Sequence, residues 1–258
     1  MLLSERRGPV LFMTLNRPEV RNAFDEAAVA EITAAFKSRA KDPALRAVVL
    51  RGAGKDFCAG ADLRWMRRAA ALSPAQSRRD AVRLLGMCRA IYECPVPVIA
   101  RIHGACLGGG VGIASASDIA VAADNAVMAF SECRLGIVPA VISSFVLPKI
   151  GLGQARRLFL TAEPFSAGFA KPIGMVHEVA PESDLDPRIE GLLRHILRAA
   201  PSAVRKAKAF LRKVADLPMA NRLRISTDTL VRVRFSPEAR EGFAAFLEKR
   251  PPSWIEPS

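Results

Sequence analysis

Acidic residues are scarce in this chain. The 258 residues hold 25 Asp and Glu against 38 Lys and Arg, a formal net charge of +13. An excess of that size is compatible with a polyanionic partner, either nucleic acid or a phosphorylated small molecule, but arginine usage on solvated faces is the preferred reading. The cations are spread along the whole chain and there is a single tyrosine, so base-stacking platforms are poorly supplied and nucleic acid is not the expected partner. Long hydrophobic runs are also missing. No segment reaches the roughly 18 apolar residues of a membrane span, and the longest candidates break at Pro95, Pro97 and Gly108. The opening Met1-Leu2-Leu3-Ser4-Glu5-Arg6-Arg7 has no apolar stretch or cleavage pattern of a secretory leader, so a cytoplasmic protein is expected. The five cysteines (58, 88, 94, 106 and 133) form no C-x-x-C pair, and the three histidines (103, 177 and 195) are scattered. Both patterns argue against a disulfide framework and against a metal site.

Glycine is present where it matters. One segment reads Phe57-Cys58-Ala59-Gly60-Ala61-Asp62-Leu63; about fifty residues later comes His103-Gly104-Ala105-Cys106-Leu107-Gly108-Gly109-Gly110-Val111-Gly112. Each follows a short apolar run and precedes a helical pattern. Backbone N–H groups at a helix start lack intrahelical acceptors and carry partial positive charge. Two such loops brought together would aim two main-chain donors at one oxygen, the hardware of an oxyanion hole. A lone glycine run would be read as tight packing or a phosphate turn; the pairing favours acyl chemistry.

The remaining pattern is short strands alternating with helices, which predicts an α/β core. Strands are expected over 10–15, 47–50, 97–102, 119–122 and 127–130, and helices over 25–40, 63–66, 74–92 and from 139 to 150. From about Asp186 only helices are predicted. Ser236-Pro237-Glu238 is a start signal combining an N-cap, a proline at the first helical position and an early acid. No linker divides the chain. The expected organisation is a core over 1–195 and a helical oligomerisation region over 196–258.

Five segments in order carry a resemblance. They are Leu15-Asn16-Arg17-Pro18 with Asn22-Ala23-Phe24; Cys58-Ala59-Gly60-Ala61-Asp62-Leu63; Gly104-Ala105-Cys106-Leu107-Gly108-Gly109-Gly110; Phe130-Ser131-Glu132 with Leu135-Gly136-Ile137-Val138-Pro139; and 241–250. Together they resemble the crotonase (enoyl-CoA hydratase/isomerase) family over essentially the full length. The resemblance implies a spiral of repeated ββα units with a C-terminal helical extension, assembled as a trimer or a dimer of trimers. It implies an acyl-CoA substrate, with coenzyme A as part of the thioester, and no bound cofactor or metal. By position, the amides of Ala61 and Gly109 would form the oxyanion hole and Glu132 would be the acid/base. Ala59, Ala61, Asp62, Leu63 and Gly109 would contact the thioester, and Arg17 and Lys249 the phosphates, the latter from a neighbouring subunit.

Many family hydratases hold their water between two glutamates. Here the first of those positions is Gly112, and another position where some members carry an acid is Ala140. A single glutamate suits an isomerase, because one base can take a proton from one carbon and return it to another. Segments such as 62–66, 131–136 and 139–143 are instead similar to bacterial hydratases of methylglutaconyl-CoA type, whose place is in leucine degradation. Hydratase is preferred narrowly, with isomerase next and a non-catalytic CoA-thioester- or RNA-binding protein behind. Asp62 and Asp118 read as structural caps, and His103 as a hydrogen-bonded structural histidine. Trp65 and Met66 are divided between acyl pocket and core. Arg64, Arg67, Arg68 and Arg134 could receive a second substrate carboxylate.

Overall fold

In the computed structural model, residues 1–39 and 42–255 are described. The first element, β1 (Leu2–Arg7), is a strand that periodicity does not predict. It is an edge strand whose last five residues are exposed and largely charged or polar, the composition that discourages further pairing. It runs antiparallel to β2 (Val10–Leu15). The helix expected over 25–40 is α1 (Glu26–Arg39); Ala40 lies outside the described residues, as do 256–258 of the C-terminal region.

Next come β3 (Ala47–Gly52), α2 (Leu63–Ala69) and α3 (Pro74–Tyr92). The start of α3 is fixed by a capping box in which Ser73 and Gln76 bond each other's backbone N–H, with Pro74 at the first position. Then β4 (Val98–Ile102), β5 (Ala105–Leu107) and α4 (Gly109–Ala116) form one strand–strand–helix unit. A second unit follows: β6 (Ile119–Ala123), β7 (Val127–Ala129) and α5 (Ala140–Thr161), the last broken at Gly151. The short elements β8 (Phe165–Ser166), α6 (Ala167–Ala170) and β9 (Glu178–Ala180) close the core.

The large sheet has the order β1-β2-β3-β4-β6-β9, parallel from β2 onward. Its central strands are continuous apolar runs, buried on both faces as a parallel sheet requires. The small sheet has the order β5-β7-β8 and is lengthened by single-residue parallel bridges, Phe24 to Ala61 and Cys58 to Cys106. Each turn of the chain therefore places one strand in the large sheet and one segment in the small stack before entering a helix. That is the expected spiral of ββα units. The buried helix α4 lies inside it, with every residue from Gly110 to Ala116 enclosed.

Beyond the core run α7 (Leu185–Arg198), α8 (Pro201–Val214), α9 (Met219–Arg234) and α10 (Pro237–Leu247). Ser236 caps α10 as its sequence predicts. Glu238, the second residue of α10, accepts from the Ser202 and Ala203 N–H groups and so caps α8 as well. The far side of α10 is bare: Phe246 is 82% and Leu247 78% exposed. Among the described residues no helix is long and apolar enough to cross a membrane.

Candidate active site

The two glycine-bearing loops meet. The Cys58–Cys106 bridge sets them side by side, with the Leu107 N–H donating to the Cys58 carbonyl at 3.0 Å. On the first loop, the Phe24 N–H donates to the Gly60 carbonyl and the Asp62 N–H to the Phe24 carbonyl, both at 2.9 Å. A parallel bridge of this kind turns the intervening amide to the other side. Ala61 N–H accordingly has no acceptor among the described residues, and Ala61 lines a cavity.

On the second loop, the Gly108 N–H donates to the Ala129 carbonyl at 2.8 Å. Gly108 has φ +49, a left-handed conformation that L side chains resist. Gly109 then opens α4, so its N–H is one of the unpaired donors of a helix start. A Cβ on Gly109 would lie 2.3 Å from Cζ of the buried Phe24 ring. Only glycine allows this approach, because the ring is itself held edge-on by Trp65 at 5.9 Å between centroids.

Both amides open on a cavity of about 380 Å³. Glu132 reaches it from the 3-10 turn Ser131–Leu135 that follows β7. Its Oε1 lies 3.4 Å from where a Cβ on Gly108 would stand, and its buried Oε2 has no hydrogen-bond partner among the described residues. Burial raises the carboxyl above the usual glutamate range. Among the described lining residues Glu132 is the one charged group; the rest of the wall is largely apolar, with Phe24, Met66, Leu84, Val141 and Ile142. A buried polar atom left without a partner is rare in native structures and marks a site of use.

The missing second acid has a structural counterpart. At Gly112 a Cβ would lie 2.2 Å from Cγ2 of Ile142, whose side chain is buried. The space a glutamate would use is therefore filled from α5. Ala140, the other acid position, lines the same cavity.

Other candidates fall into place by their contacts. Asp62 caps α2, accepting from the Arg64 N–H at 2.8 Å, and its other oxygen is paired with Arg17 at 2.9 Å. Arg17 also donates to the Ala23 carbonyl at 2.6 Å, so its guanidinium ties the opening motif to the first loop. Ala59 and Leu63 line the cavity, Leu63 at its open side with 76% exposure. Lys249 follows the end of α10, and neither Lys249 nor Arg17 is among the lining residues. Trp65 is packed into the core, whereas Met66 faces the cavity. His103 is buried between the Gly54 carbonyl and Arg101. Asp118 holds the Val98 N–H and the Lys208 ammonium. Cys58 and Cys106 are fully buried, and that burial pushes the Cys58 thiol up to about 12. Such thiols pack as small apolar groups. None of Arg64, Arg67, Arg68 or Arg134 lines the cavity. Sequence reasoning did not assign site roles to Phe24, Ser131 or Ile142; all three stand inside quoted segments, but their roles depend on which distant residue they meet.

Residues 5–257 match the family model described as enoyl-CoA hydratase/isomerase. A crotonyl-CoA hydratase from Syntrophomonas wolfei is 31% identical over 98% of this chain and 97% of its own length. An enoyl-CoA isomerase/hydratase from Mycosarcoma maydis is 30% identical over 94% and 91%. Among solved structures, an enoyl-CoA hydratase from Shewanella pealeana superposes with a TM-score of 0.95 at 35% identity, covering 98% of this chain and 95% of that one.

Proposed function

The chain belongs to the enoyl-CoA hydratase/isomerase family, and we propose that it is a lyase adding water across the double bond of an α,β-unsaturated acyl-CoA. The carrying observation is the buried, partnerless carboxylate of Glu132 in the same cavity as the unpaired N–H groups of Ala61 and Gly109. In this reading the thioester carbonyl takes both amides. As Glu132 removes a proton from water, the water oxygen bonds to C3 and the π electrons move onto the carbonyl oxygen. The two N–H groups hold that enolate, and each is worth about 3–4 kcal/mol in such a role. Glu132 then returns the proton to C2, so the net change is one water added. Its raised pKa makes it a stronger base toward water than an exposed glutamate, which eases the first proton transfer.

Isomerisation is the second reading, and the filled Gly112 space favours it. With Ile142 in the second acid's place, a lone Glu132 could move a proton from C2 of a 3-enoyl thioester to C4. Hydration is preferred because the segments around Glu132 are similar to hydratases. The methylglutaconyl type suggested by those segments needs a cation for its second carboxylate. No lysine or arginine is among the described lining residues, so crotonyl-CoA is placed first.

Arg17 acts in this reading by holding the first loop, and Lys249 is left to meet CoA phosphates from an adjacent subunit. The exposed apolar side of α10 supports association through the region over 196–258, as a trimer or a dimer of trimers. The five free thiols fit a reducing compartment such as the cytoplasm.

The test follows enoyl-thioester absorbance with crotonyl-CoA, 3-methylglutaconyl-CoA and a 3-enoyl-CoA, using native protein and Glu132→Gln. Glu132-dependent loss of absorbance with an unsaturated substrate is the expected result. A Glu132-dependent gain from the 3-enoyl-CoA, without hydration, would replace this reading with isomerase.

A further inference from the structure

A second cavity, of about 770 Å³, lies where the core meets the C-terminal helices and shares no lining residue with the first. It is walled by the end of α4, the middle of α5, and parts of α7, α8 and α9. Its charge is one-sided. Lys149, Lys208, Arg212 and Arg222 line it, and Asp118 is the one carboxylate among the described lining residues. Asp118 is already engaged by Lys208 and by the Val98 N–H. Lys149 is left with the Ser117 carbonyl at 3.0 Å and no carboxylate of its own. Arg222 directs Nη2 at the Ala215 and Leu217 carbonyls, while its buried Nε has no acceptor. His177 accepts the Ala120 N–H at Nδ1, so the neutral ring carries its proton on Nε2 and adds a donor. Burial pulls the Lys149 ammonium down to about 8, which still leaves it mainly charged at pH 7.

Half-buried cations that outnumber the carboxylates in one cleft favour an anion, because a charge withdrawn from water is costly until it is paired. The rest of the wall is largely apolar, with Phe145, Pro148, Ile196, Val204 and Leu211, interrupted by Ser115, Ser117 and Ser144. The volume is within the range of roughly 300–1,000 Å³ typical of small-molecule sites. We propose that this cavity binds an amphiphilic organic anion, a carboxylate or phosphate monoester on an apolar body, with Lys149 and Arg222 holding the head and the α7–α8 side holding the body. Such a ligand would bridge α5 of the core to α8 and α9. The proposal does not depend on which reaction the first cavity catalyses.

The probes are octanoate and octyl phosphate, with acetate and inorganic phosphate as short counterparts, titrated calorimetrically at pH 7. The native protein and Glu132→Gln should bind an octyl probe equally, and Lys149→Met or Arg222→Met at least tenfold more weakly. Tighter octanoate would assign a carboxylate head and tighter octyl phosphate a phosphate head. Binding unchanged in both cation variants, binding tightened or lost in Glu132→Gln, or equal affinity for the short counterparts would each overturn the proposal. A measurement on native protein guards against misfolded variants. Reductive methylation of Lys149, read by peptide mass, should slow at least threefold with a saturating octyl probe. An unchanged rate would overturn it.

Discussion

The two cavities are opposite cases of one problem. The first holds a single buried anion with no cation to pair it, and the second holds several cations facing one occupied carboxylate. Charges elsewhere are paired, such as Arg17 with Asp62 and Arg250 with Glu241, or stand on exposed faces where water solvates them. The unmatched charges of the two cavities differ in being partly withdrawn from water. In the first cavity the missing positive charge is supplied weakly, by two backbone amides that are best used once an oxyanion forms. In the second the carbonyls of Ser117, Ala215 and Leu217 give a weak internal answer, and the proposed anion supplies the full charge they lack.

The sharpest way to break this contrast is to remove the anion. Glu132→Gln should lower turnover by about 10²–10⁴-fold, measured at saturating thioester. In the native protein the acid limb of the pH–rate profile should lie above the ordinary glutamate range, since the base form is lost as pH falls through a raised pKa. Next comes the donor side. Gly109→Ala drives a methyl into Phe24 and should cost about 10²–10³-fold in kcat, while Gly153→Ala, where a Cβ meets nothing within 4 Å, should be silent.

Restoring the second acid tests the filled space. Gly112→Glu should destabilise the fold by about 1–3 kcal/mol through its clash with Ile142, and adding Ile142→Ala should recover part of that in denaturant melts. For the cationic cavity, Lys149 releases its proton at about 8 when folded and near its ordinary 10.5 when unfolded. The unfolded chain binds more protons in that window, so the residue's contribution to stability rises with pH across it. Melting curves of Lys149→Met against native protein should lose that rise, worth about 3 kcal/mol. The smallest effect is on Glu132 itself. Its raised pKa favours the neutral folded form, an advantage present in acid and lost as pH rises, so Glu132→Gln should add about 1 kcal/mol of stability at neutral pH and nothing in acid.

Most of the core was legible because its strands are long apolar runs and its helices carry local stop and start chemistry. The span of α3 follows from Ser73-Pro74 at one end and the residues before Pro95 at the other. The strands β1, β8 and β9 were not legible. β1 is charged along an edge, while β8 and β9 have two and three residues and exist only because a neighbour pairs with them. In the site, the loops of Ala61 and Gly109 were visible as local patterns. The filling of the Gly112 space by Ile142 was not, since cause and effect lie thirty positions apart and neither residue is unusual alone. The same holds for the second cavity, whose cations come from three separate helices and look like ordinary surface lysines and arginines in sequence.

Helix α5 is a party wall. Residues 140–142 form part of the first chamber, and Ser144, Phe145, Pro148 and Lys149 form part of the cationic one. Two chambers separated by a single turn of helix cannot drift apart in evolution. A bulkier residue accepted at 142 to suit a new acyl group turns or shifts the rod that carries Phe145 and Lys149. Substitutions along this turn should therefore travel together across relatives, and an engineer who redraws one chamber inherits a changed floor plan in the other.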